Sequence, residues 1–132
     1  MSQNKVNIDD SLTLFFITET HDQIKRFSKI LLNWGQQEDP KKAVNELFRI
    51  AHNIKGSSGM MGLTELKDVA HLVEDLFDAV HKGKLKLDHE QIDSLLKFSD
   101  GVLLYIENGH WQEADWLKPW QKFFNACLTE TL

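Results

Sequence analysis

The sequence holds one cysteine, two prolines and no long apolar run. A single thiol, Cys127, can form neither an internal disulfide nor a multi-thiolate metal site. Between Ala126 and Leu128 it reads as a small apolar residue of a packed helix. Two prolines beside 42% hydrophobic residues exclude a Pro-rich linker and a disordered chain. No stretch approaches the ~18 uninterrupted apolar residues of a membrane span. The polar start Met1-Ser2-Gln3-Asn4-Lys5 leads into no signal-type apolar run. A cytoplasmic protein without a membrane partner is expected. A basic excess is missing too: the net charge of -5 leaves no footprint for nucleic acid. Neither a Walker-type phosphate loop nor a kinase-type glycine loop occurs, so the chain is expected to bind no nucleotide and no other cofactor by itself.

What the sequence does have is helical period. Leu12, Phe16, Ile24, Phe27, Leu31 and Trp34 step by threes and fours, with Thr20 in the gap. Ala43, Leu47, Ile50 and Ile54 follow the same rule, as do Leu66, Val69, Val73, Leu76 and Val80. Ile92, Leu95, Leu96, Val102, Leu103 and Ile106 make a fourth series. Such steps keep side chains on one helical face, whereas a half-buried strand alternates by two. Gly35, Gly83 and Gly109 each stand where a left-handed C-terminal cap is needed. Asp39-Pro40 fits an N-cap followed by a first-turn proline, and Asp88 with Gln91 fits a capping box. Helices are expected over 9–34, 40–55, 64–82, 89–107 and 114–129. Short connections make sequential helices antiparallel neighbours. The expectation is one all-α domain over 1–132: an antiparallel four-helix bundle over about 9–107 with an additional C-terminal helix. In that last helix Trp116, Trp120, Phe123 and Cys127 share a face, which is expected to be core. Pro119 must lie in its first turn or mark a kink.

The unusual stretch is Ala51-His52-Asn53-Ile54-Lys55-Gly56-Ser57-Ser58-Gly59-Met60-Met61-Gly62. By propensity, so much glycine and serine ends the second helix near Lys55. At about 100° per residue, His52 lies roughly opposite the Ala43/Leu47/Ile50/Ile54 stripe. If the helix continues, Gly56 and Gly59 fall near His52 and Lys55 stands beside it. That would leave an exposed imidazole ringed by residues without side chains and flanked by a cation. A neutral imidazole is a competent nucleophile, and phosphoryl transfer depends on positioning and on neutralising oxygen charge. On the third helix, Glu74 is the candidate to accept the Nδ1 proton of His52, with His71 in the surrounding network. A bland alternative stands beside each: a surface histidine, a glycine turn, a solvated end-of-helix lysine, an i,i+3 surface pair of His71 and Glu74. His21, His81, His89 and His110 form no constellation. Asp68-x-x-His71 and Asp78-x-x-His81 would suit a metal bundle, but both pairs lie on one helix and point in different directions, so no metal is expected.

The run His52-x-x-Lys55-Gly56-Ser57-Ser58-Gly59-x-x-Gly62-Leu63 resembles the signature of histidine phosphotransfer (HPt) domains. Leu47-Phe48-Arg49-x-Ala51-His52 and Ala70-His71-Leu72-x-Glu74-Asp75-Leu76 are most similar to the N-terminal phosphotransfer domain of CheA-type chemotaxis histidine kinases. A starting methionine shortly before the first helix suits that location, and a fifth helix belongs to those domains. The resemblance covers residues 9–107 and implies that the second helix runs on through the Gly/Ser stretch. It further implies that His52 is phosphorylated, that His71, Glu74 and Lys55 support it, and that Phe48, Gly56 and Gly59 form the access surface. The implied partners are the ATP-binding domain of a histidine kinase and a response-regulator receiver domain. The chain is then a monomeric phosphoryl carrier rather than a complete enzyme. A stand-alone or hybrid-kinase phosphorelay protein is the alternative within signalling; a metal-binding or purely structural bundle is the alternative outside it. The Trp-rich stretch from Trp111 to Phe124 departs from the resemblance.

Overall fold

A computed structural model describes residues 10–130. Its elements are α1 (Ser11–Leu32), a 3₁₀ turn (Trp34–Gln36), α2 (Pro40–Met60), α3 (Thr64–His81), α4 (His89–Asn108) and α5 (Leu117–Thr129). The described residues contain no strand. The architecture is an antiparallel four-helix bundle with α5 added. α2 lies closest along α3, α1 along α4 and, less extensively, along α2, while α5 returns to pack against α3. One apolar cluster runs through all five helices, from Phe16 to Cys127. Phe27, Leu47, Phe77, Leu95 and Phe124 are among its fully buried members, each worth about 1.5–3 kcal/mol over leaving it in water.

The caps account for most boundaries. Asp10 accepts from the Thr13 N–H, and Asp39 accepts from the Lys42 N–H ahead of Pro40. Asp88 and Gln91 form the reciprocal capping box. Gly83 and Gly109 have φ near 74° and 75°, the left-handed conformation that costs a Cβ-bearing residue. Gly35 differs from expectation. It lies inside the 3₁₀ turn without a positive φ, because the Gln37 amide instead donates to the Ile30 and Asn33 carbonyls and satisfies the end of α1.

Leu12 is a second correction: it is 56% exposed, and Thr13 takes the inward position. Stepping back from Ile24 by fours drifts about 40° per step, so Leu12 has rotated out of the stripe while a step of three brings Thr13 back into it. The expected start of the first helix at residue 9 lies outside the described residues. α5 begins at Leu117 rather than 114, with Pro119 in its first turn. The segment before it is held by two bonds: the Tyr105 hydroxyl donates to the Trp111 carbonyl, and the Trp111 indole donates to the Ile106 carbonyl. Burial, with Glu65 nearby, pushes the Tyr105 phenol up to about 12, so it remains a donor. The face of α5 expected to be core is only partly so: Leu117, Phe124 and Cys127 are buried, whereas Trp116, Trp120 and Phe123 stay half-buried against the cluster, and Phe98 of α4 meets Trp116, Trp120 and Phe124 ring to ring.

Candidate functional site

α2 does not stop at Lys55. It continues through Gly56-Ser57-Ser58-Gly59 to Met60, as the family resemblance implies and propensity does not. Packing against α3 holds these weak helix formers in place: Ile54 and Ser58 are buried, and the Ser57 hydroxyl donates back to the Asn53 carbonyl. The helix ends at Gly62, where φ is 74°. There the Leu63 N–H donates to the Ser58 carbonyl and the Gly62 N–H to the Gly59 carbonyl, the double bond of a Schellman cap. Three residues later the chain is already in α3.

This hairpin brings His52, Lys55 and Glu74 together. Nδ1 of His52 lies 2.5 Å from Oε2 of Glu74, and Nζ of Lys55 donates to Oε1 at 2.7 Å. The side chain of His52 is 59% exposed, whereas Glu74 retains only 7% of its surface. A nearly buried carboxylate on α3 therefore reaches up between two side chains of α2. Burial alone would raise the Glu74 carboxyl, but hydrogen bonds from Lys55 and His52, together with their charge, outweigh it and hold the group below its ordinary value. Glu74 is thus an acceptor on both oxygens at neutral pH. A carboxylate acceptor at Nδ1 favours the tautomer that holds its proton there and leaves Nε2 free on the exposed ring.

Phe48, one turn before His52, lies nearly parallel to the imidazole, with ring centroids 6.5 Å apart and planes 9° from parallel. A Cβ added to Gly56 would meet nothing within 4 Å, and one on Gly59 only the flexible Lys67 side chain at 3.2 Å. Neither glycine is therefore required by packing inside the domain. His71 is not brought to the cluster. It is exposed on α3, and its Nε2 lies 3.7 Å from Asp75, because i and i+4 share a helical face while Glu74 points toward α2. Asp78 pairs with Lys82, and among the described residues no three metal-ligating side chains converge.

Sequence reasoning passed over an exposed apolar set. Leu12, Phe15 and Met60 all present most of their surface to solvent. The signal was the consecutive run Leu14-Phe15-Phe16, of which one helix face can bury only a part. The Arg26–Glu46 ion pair sets the register of α1 against α2. In that register the start of α1 lies level with the end of α2.

Comparison with known proteins gives one consistent result. A family model for the Hpt domain matches residues 12–111. The chain is 41% identical over 94 residues to the chemotaxis protein CheA of Borreliella burgdorferi, covering 71% of this chain and 11% of that protein. It is 33% identical over 95 residues to CheA of Halobacterium salinarum, covering 72% and 14%. The phosphorylated P1 domain of CheA3, solved in complex with CheY6 from R. sphaeroides, superimposes with a TM-score of 0.82 at 24% identity. That match covers 93% of this chain and 99% of the other, and shows the shared fold. The chain spans only about an eighth of the length of the CheA relatives. None of the described helices is long and apolar enough to cross a membrane.

Proposed function

Because the chain belongs to the Hpt domain family, we propose that it is a phosphoryl carrier in a chemotaxis signalling pathway, with His52 as the phosphorylated residue. Nε2 of His52 attacks the γ-phosphorus of ATP held by a separate histidine-kinase catalytic domain. An N–P bond forms as the bond to the ADP leaving oxygen breaks. Glu74 keeps the Nδ1 proton and stabilises the positive charge that develops on the ring. Lys55, anchored by Glu74, offers its remaining N–H bonds to the phosphoryl oxygens. An aspartate of a receiver domain then attacks the phosphorus, the N–P bond breaks, and the neutral ring is restored.

The observation that carries this reading is the 2.5 Å contact between Nδ1 and a buried carboxylate beneath an otherwise exposed ring. The open space above Gly56 supports it, since both partners must bring a phosphorus within about 3–3.5 Å of Nε2. The exposed Leu12, Phe15 and Met60 then serve as the apolar surface on which the receiver domain docks. The length of the CheA relatives favours a kinase domain elsewhere in the same polypeptide, and a cytoplasmic location goes with that role. His71 acts at most through the surface around the site.

The test is phosphorylation by a CheA-type kinase catalytic domain with labelled ATP. Wild-type protein gains a label that acid removes and base spares, as for a phosphoramidate. His52→Gln gains none and melts near the wild-type temperature, because the glutamine side chain still offers an NH₂ donor to the Glu74 carboxylate. Acid-stable label on the variant would move the chemistry to Ser57 or Ser58 and defeat the proposal.

A further inference from the structure

Away from His52, the first turn of α2, the end of α3 and the α3–α4 connection enclose a cleft of about 380 Å³. Its apolar wall is formed by Trp34, Val44, Val80, Leu85 and Leu87. Val44 and Leu87 are buried, while Trp34, Val80 and Leu85 remain half-buried, so the cleft is continuous with the core but open to solvent. The volume lies within the roughly 300–1,000 Å³ range of small-molecule sites.

The rim carries charge of one sign. Lys41 and Lys86 line the opening beside the His81 imidazole, and among the described residues no carboxylate does. In a chain of net charge -5 this is a local reversal. Among the described residues, neither Lys41 nor Lys86 takes part in an ion pair. The acids nearest in sequence are otherwise occupied or directed elsewhere. Asp39 caps α2, Asp88 caps α4, and Glu38 lines the neighbouring groove with Lys29 and Lys42. Pro40 and Lys41 open α2 at this rim, where the Asp39 carboxylate is engaged with the helix N-terminus through the Lys42 N–H.

An apolar wall with two lysines at its mouth, and the nearest acids engaged as helix caps, matches an amphiphile with one negative end. We propose that this cleft is a binding site for a small apolar monocarboxylate, an aryl or alkyl body whose carboxylate lies between Lys41 and Lys86. The site is separate from the phosphoryl centre. Val44 and His52 are eight residues apart on α2, about 12 Å along its axis.

The experiment is a two-dimensional NMR titration of the whole chain with 4-phenylbutyrate, repeated with the neutral 4-phenylbutyramide. Saturable shifts are expected at the Trp34 indole and at Val44, Val80 and Leu87, with His52 and Lys55 unmoved. The amide should bind roughly two- to fivefold more weakly, the scale of one solvent-exposed ionic contact. In the Lys41→Gln/Lys86→Gln variant the carboxylate should fall to the affinity of the amide, whose own binding stays the same. Both lysines are exposed, so the variant tests charge rather than folding. Absence of saturable shifts up to about 10 mM, where binding is weaker than the ~4 kcal/mol of a millimolar site, overturns the proposal. So do shifts scattered over the surface, or equal affinity of acid and amide.

Discussion

Replacing Glu74 by glutamine keeps the shape of the side chain between α2 and α3 and removes its charge. Both neighbours of the carboxylate are donors: Nδ1–H of His52 on one oxygen and the ammonium of Lys55 on the other. A glutamine has one acceptor oxygen and one donor NH₂, so it can satisfy only one of them. The proton on Nδ1 then loses its fixed acceptor, and the ring is free to take the tautomer in which Nε2 is protonated and cannot attack. A hydrogen bond to a charged group is worth about 1.5–3 kcal/mol. With His52 more than half exposed, about 1.5–2.5 kcal/mol of preference is a fair range. That corresponds to a phosphorylation rate lower by roughly 10- to 70-fold.

Stability should fall much less, by about 1 kcal/mol or under, since the lost contacts to the exposed imidazole and the partly exposed Lys55 are offset by no longer burying a carboxylate. The assay is single-turnover labelling from ATP by a kinase catalytic domain, alongside long-range proton–nitrogen spectra of the imidazole. The acid dependence supplies a third readout. The folded-state value of Glu74 is depressed below 4.5, so its contribution is complete above that pH and fades as pH falls through the lower folded value. The stability gap between wild type and Glu74→Gln should therefore close in acid. A variant that is labelled as fast as wild type, or whose ring still carries its proton on Nδ1, refutes the reasoning.

Three further substitutions separate access from packing. Gly56→Ala should raise stability by about 0.5–1 kcal/mol, because it improves helix propensity where the new Cβ meets nothing; Gly56→Phe should leave the melt near wild type yet slow transfer in both directions, and wild-type transfer rates would remove the access role. Gly101→Ala should do the opposite. Its Cβ would stand 2.7 Å from the Trp116 ring, so urea unfolding should show a net loss of about 1–2 kcal/mol, and a gain in stability would show that the ring yields freely.

The helices themselves were legible because their signals are local. Period, Asp39-Pro40 and the Asp88–Gln91 box depend on residues at most a few positions apart, and these appear where the sequence places them. The continuation of α2 past Lys55 was not legible from propensity, since what holds Ser58 and Gly59 in a helix is α3. The site divides the same way. The exposure of His52 and the placement of Lys55 one turn on follow from 3.6 residues per turn. The reach of Glu74 to His52 depends on the crossing and register of two helices, which no spacing within one of them encodes. The same limit separates Glu74 from His71: three residues apart in sequence, one points toward α2 and the other toward Asp75 in solvent. Thr13 for Leu12 and Gln37 in place of a Gly35 cap are failures of another kind, a helical drift and a side chain doing the work of a turn. The cleft beside Trp34 comes from two segments far apart in sequence, 34–44 and 80–87, and left no local signature.

The short Gly62 connection has a kinetic consequence. His52 and Lys55 lie 22 and 19 residues from Glu74, all on one helical hairpin closed by a turn of three residues. Closing so short a span costs little chain entropy, and contacts of low sequence separation form early. The proposed centre therefore draws all three of its side chains from a single local unit, with none from α4 or the tryptophans of α5. Loosening at those later elements would reach the stability of the bundle before it reached the geometry of the histidine.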